Sequence, residues 1–176
     1  MNARRFVIAR ICSFQPLSPG AYTAIVSGLG NTTGAGLVEV YDLDQTANSK
    51  LANISTRGLV QATGNVMIGG FILGGGNGGG TKVLVRALGP SLEQVGITNA
   101  LTNPRLELFD GNGSLLLAND NWKETQQSEI ERSGVSPGND AESAILASLP
   151  AGSYTAVVSG QDASVGTSLI EVYNLE

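Results

Sequence analysis

The chain has 176 residues, 24 of them Gly, with only 14% charged residues and a net charge of −5. It has no His and a single Cys, Cys12. That removes the commonest general base and metal ligand, an internal disulfide and a Cys-rich zinc site. A sparsely charged, weakly acidic surface offers no basic footprint for nucleic acid, and no apolar run approaches the roughly 18 residues that span a bilayer.

Arg4 and Arg5 followed by Phe6–Ile8 hint at an export signal, but Arg10 interrupts the apolar stretch and no small-residue cleavage pattern follows. Read as extended chain, Phe6, Ile8 and Phe14 fall on one face and Val7 and Ile11 on the other. Ala21–Ser27 alternates cleanly, with Tyr22, Ala24 and Val26 sharing a face. After a loop rich in Gly, Asn and Thr, Leu37–Leu43 places Val38 and Val40 together. Gly58–Thr63, Val66–Leu73, Lys82–Ala87, Arg105–Phe109 and Ser114–Ala118 are further predicted strands, each bounded by Gly, Pro or Asn. Leu106–Asp120 reads as a hairpin whose turn, Asp110–Gly113, supplies residues suited to positive φ. Lys123–Arg132 is the one helical stretch, short and polar. Ser153–Ser159 and Leu169–Leu175 close the series.

Those last two strands repeat the first two. Leu17–Asp44 and Leu149–Glu176 align without a gap at an offset of 132 residues, and 14 of 28 positions are identical. Residues 45–176 therefore make one whole period and residues 1–44 carry the tail of another. The expected fold is all-β: an antiparallel sandwich of jelly-roll or Greek-key type over 45–176, with a strand or hairpin extension over 1–44. A repeat that cannot bury its apolar face alone needs a neighbour. The extension's residues Phe6, Ile8, Ile11, Phe14, Tyr22, Val26, Val38 and Val40 are the expected assembly surface.

Chemistry-bearing patterns are few. Gly69–Gly80 before Thr81-Lys82 has the wrong order for a phosphate loop, because Lys82 opens a strand instead of a helix; a hairpin loop is expected. Asp110, Asp120 and Glu142 are hard-oxygen candidates for Ca²⁺, against a plain reading of Asx residues capping turns; no other cofactor is implied. Asn31, Asn53 and Asn112 each open an N-glycosylation triplet. Trp122, the only Trp, is expected to plug an end of the sandwich instead of serving as a sugar platform. No Ser has a visible base partner, so no enzyme activity is expected.

Val83–Leu92 (VLVRALGPSL), Leu106–Leu116 (LELFDGNGSLL), Asn119–Trp122 (NDNW), Glu142–Leu146 (ESAIL) and the closing strands resemble a β-sandwich module found in tandem in large exported bacterial proteins. The later part is similar to bacterial pre-peptidase C-terminal domains, which share the LFD-x-x-G-x-L hairpin and the late L-x-x-G-x-Y-x-x-x-V strand. The resemblance covers nearly all of residues 50–176, and Leu17–Asp44 again. It implies a secreted or surface location and a structural or binding role. Similar modules polymerise into extracellular fibrils by lending strands to neighbours. The function expected is a subunit of an extracellular bacterial filament, joined head to tail to copies of itself by strand donation. The alternative is an adhesion or carbohydrate-binding module of a longer repeat protein.

Overall fold

The structure, a computed structural model, describes residues 16–43, 51–62, 64–74 and 80–175. The chain divides into two compact units, Met1–Lys50 and Leu51–Glu176.

Eight strands build the second unit: β1 (Asn53–Val60), β2 (Met67–Leu73), β3 (Thr81–Leu88), β4 (Pro104–Asp110), β5 (Leu115–Asn119), β6 (Ser143–Leu149), β7 (Gly152–Gly160) and β8 (Gly166–Asn174). Alternation chooses the inward face. Leu106 and Leu108 of β4 and Tyr154, Ala156 and Val158 of β7 are buried, while Arg105, Glu107, Thr155 and Val157 between them are half-buried. The inward residues of both sheets meet in one core, with Val83, Val85, Ile145 and Ile170 from the facing sheet.

The sheets run β1-β8-β3-β6 and β2-β7-β4-β5. All pairings between these eight strands are antiparallel, and four of them nest: β1 with β8, β2 with β7, β3 with β6, β4 with β5. The second unit thus follows the course of one long hairpin folded so that successive nested pairs fall in alternate sheets. That is the jelly-roll strand order. β7 and β8 hold central places, β7 between β2 and β4, β8 between β1 and β3.

β3 breaks the alternation, because Leu84 is buried on the outer side. A second small core explains it. Trp122 and Ile130, from the Trp122–Glu124 turn and helix α1 (Gln127–Arg132), cover Leu84, Ala144 and Leu146. A strand buried on both faces reads as a continuous apolar run. Trp122 is therefore not an end plug but part of a lid over the β3–β6 face. Its indole N–H donates to the Asn139 carbonyl at 3.1 Å.

Three further expectations are corrected. Ala21–Ser27 and Leu37–Leu43 are extended but, among the described residues, are joined to no strand ladder, and a strand is made by its ladder. Their repeat, β7–β8, is not a hairpin, because its two strands lie in opposite sheets. β2 and β3 lie in different sheets and so form no hairpin, contrary to the hairpin loop expected at Gly69–Gly80; residues 75–79 lie outside the described residues. In the β4–β5 hairpin only Gly113 takes positive φ (80°). Asp110 accepts the Gly113 N–H at 3.0 Å and donates its own N–H to Ser114 at 3.0 Å.

Candidate functional site

The repeated pair carries the same local geometry in both copies. Tyr154 Oη donates to the Pro150 carbonyl at 2.8 Å, and Tyr22 Oη to the Ser18 carbonyl at 2.6 Å. Such a hydroxyl tied to upstream backbone fixes a corner. The turns match too. Asp162 has φ 54° and ψ 34°, its counterpart Gly30 φ 64° and ψ 36°. A Cβ on Gly160 would stand 2.0 Å from the Ser164 carbonyl oxygen, and one on Gly28 1.9 Å from that of Thr32. Tyr173 Oη donates to Glu171 Oε1 at 3.1 Å, as Tyr41 Oη does to Glu39 Oε1 at 3.1 Å. Residues 17–43 thus repeat the corner and turn geometry of the pair that closes the sandwich.

The copies differ in what covers them. Tyr154, Val158 and Ile170 are 6%, 0% and 2% exposed; Tyr22, Val26 and Val38 are 60%, 62% and 48% exposed, and Val40 is exposed as well. Phe6, Ile8, Ile11 and Phe14 lie outside the described residues.

No protein-family profile and no curated protein matches this chain.

In the sandwich the closing pair is locked by a polar cluster that the sequence did not single out. Arg86 Nε donates to Glu171 Oε2 at 2.5 Å, one terminal nitrogen donates to the Val135 carbonyl at 2.6 Å, and the other to Tyr173 Oη at 2.9 Å. Ser55 Oγ donates to Glu171 Oε1 at 2.7 Å, so β1, β3 and β8 are tied across three strands. The Arg86 guanidinium also lies 5.0 Å from the centre of the Tyr173 ring. Burial first, then the charge of Glu171, pushes the Tyr173 hydroxyl pKa up, against the opposing pull of Arg86. The signal was present in the repeat: Glu-Val-Tyr is retained in both copies, with charge at a strand position facing a neighbour.

The three Ca²⁺ candidates are not brought together. Asp110 Oδ1 accepts the N–H groups of Asn112 and Ser114 at 2.9 and 2.8 Å, capping its own turn. Asp120 sits beyond the far end of β5. Its Oδ1 is buried without a hydrogen-bond partner. Desolvation, then the neighbouring Glu124, raise its pKa. Glu142 is fully buried, and its Oε1 accepts the N–H of Gly89 (2.9 Å), the N–H of Ser91 (2.9 Å) and the Ser91 hydroxyl (2.5 Å). Asn139 N–H reaches Oε2 at 3.1 Å. This carboxylate pins the Gly89–Ser91 turn. Among the described residues no three His, Cys, Asp or Glu side chains are grouped to hold a metal. Of the glycosylation candidates, Asn53 and Asn112 are exposed, Asn53 at the first position of β1 and Asn112 in the β4–β5 turn; Asn31 lies in the Leu29–Asn31 turn.

Sheet edges are the other surfaces to which a strand could add. Edge strand β6 is occupied. Gln126 donates its amide to the Leu146 carbonyl at 2.8 Å and accepts the Leu146 N–H at 3.0 Å, and Asn119 Oδ1 accepts the Ala144 N–H at 2.9 Å. These side chains stand where a neighbouring strand's backbone would be. Edge strand β5 carries the exposed run Leu115–Leu117. A shallow groove of about 260 Å³ is lined by Lys82, Glu129, Arg132, Ser133 and Leu175. Its one hydroxyl, Ser133 Oγ, donates to the Ile130 carbonyl at 2.6 Å.

Proposed function

We propose that the protein is a structural subunit of an extracellular bacterial assembly, joined to further copies by strand donation, with residues 17–43 as the donated element. The observation that carries this is the surplus closing pair: the same corner, turn and Tyr–Glu bond as β7–β8, with its core-facing side chains exposed. An unpaired strand with an apolar face gains main-chain hydrogen bonds and burial when it joins a sheet. Donation from one copy to the next does not close on itself and yields a filament. The role is structural, with no turnover of its own and no bound cofactor. Sedimentation and negative-stain microscopy of the purified protein test the reading. Filaments whose amount rises with concentration are expected, and a monodisperse monomer at every concentration would refute it.

One observation favours a second reading. β7 and β8 already fill the central places of their own sandwich, so an intact copy has no vacancy for a donated strand. In an adhesion or carbohydrate-binding module of a longer repeat protein, residues 17–43 would belong to a neighbouring repeat. The monodisperse outcome would support it.

A further inference from the structure

We propose that residues 17–43 occupy, in the β1–β6 shell of a second copy of this chain, the two central places that β7 and β8 hold in their own. This rests on the strand-donation reading and makes it specific. The two copies of the repeat differ selectively. Of the residues in 149–175, eight are buried. Six keep their identity in the surplus pair, as Leu17, Tyr22, Ala24, Val26, Gly34 and Glu39. The other two become smaller, Gly36 for Ser168 and Val38 for Ile170. The remaining differences fall on half-buried or exposed positions, or on the last position of the repeat. The surplus pair thus retains the face that a shell reads and changes the face that solvent reads.

Two contacts set the specificity. Glu39 and Tyr41, already bonded to each other, present Arg86 of the second copy with the carboxylate and hydroxyl that Glu171 and Tyr173 present at home. Gly34 fits where only Gly fits: a Cβ on its counterpart Gly166 would stand 2.6 Å from the Leu101 backbone nitrogen, whereas a Cβ on Gly34 meets nothing. The home pair keeps the Ser168 hydroxyl bond to the Leu88 carbonyl and the larger Ile170. It is the better fit, so the acceptor is a copy whose own pair has come away.

A two-chain disulfide test decides it, with Cys12→Ser in every chain. The acceptor carries Val26→Asp to disable its surplus pair, Val158→Asp to loosen its closing pair, and Arg57→Cys. The donor carries Leu37→Cys. Arg57 faces Leu169 across β1 and β8, and Leu37 is the counterpart of Leu169. Directly opposed strand residues lie within disulfide reach. After joint refolding from urea and oxidation, a covalent acceptor–donor pair is expected, and it should be lost when the donor also carries Val26→Asp. Should the acceptor aggregate, Val158→Ala replaces Val158→Asp and the same band is read. Absence of the pair, while Arg57→Cys with Leu169→Cys closes within one otherwise unchanged chain, overturns the proposal. Wild-type filaments without the linked pair overturn this placement alone. A linked pair without wild-type filaments supports the placement and overturns the filament.

Discussion

At the scale of single residues, Glu142 and Asp120 show how environment decides what a carboxylate does. Glu142 is buried, and four donors from two loops converge on it. Replacing it with Ala strands those donors. Loss of about 3 kcal/mol of unfolding free energy is expected in urea titrations, with Gln recovering part of it. Asp120 is the opposite case. Its folded pKa is raised, by desolvation and by Glu124, so its contribution is fully present below the ordinary carboxyl range and is lost as pH rises through the folded value. Asp120→Asn should therefore stabilise the protein at pH 7, by about 0.5 kcal/mol or less for a part-exposed group. The gain should vanish in melts at pH 3. A fall in melting temperature at pH 7 would contradict this.

Strands and their edges carry the next set of expectations. Gln126 fills both backbone positions of Leu146 on the β6 edge, so Gln126→Ala should cost about 1 kcal/mol and expose an edge that seeks partners. Light scattering on standing should rise in the variant and stay flat in the parent. Gly166→Ala should unfold the sandwich, whereas Gly34→Ala should leave its melting temperature unchanged and abolish assembly. The strands themselves were legible because most have one buried face, so Tyr154, Ala156 and Val158 alternate with polar or half-buried neighbours. What the sequence hid was partnership. Alternation at Ala21–Ser27 is the same signal as at β7, yet only one of the two has a ladder. Trp122 and Ile130 were hidden for a related reason: a lid over an outer sheet face leaves no period of its own. The Arg86 cluster joins residues from β1, β3 and β8, and nothing local in any of the three marks the other two.

For the whole molecule, the Arg86–Glu171 pair is the main electrostatic element inside the fold, with side chains only 16% and 10% exposed. Screening reaches such a pair weakly, so unfolding free energies in low salt and in molar NaCl should agree to within about 1 kcal/mol. Arg86→Ala should cost about 3–5 kcal/mol by leaving Glu171 buried and unpaired. The alkaline limb follows from Tyr173. A raised folded pKa means stability that is complete below the ordinary tyrosine value of 10.0 and is lost as pH rises through the higher one. Tyr173→Phe should flatten the fall above pH 10. The nested topology has a consequence in time. β1 is the first strand of the sandwich to leave a ribosome or a secretion channel and β8 the last, and Asn53 waits for Tyr173. Pairings so distant in sequence form slowly. At roughly 5–20 residues per second, a nascent sandwich spends a few seconds with only β3–β6 and β4–β5 able to pair, while β1 and β2 still wait for β8 and β7. In an assembly built as proposed, a neighbour's residues 17–43 would already be there. During that interval order of arrival, not quality of fit, would decide which pair enters first.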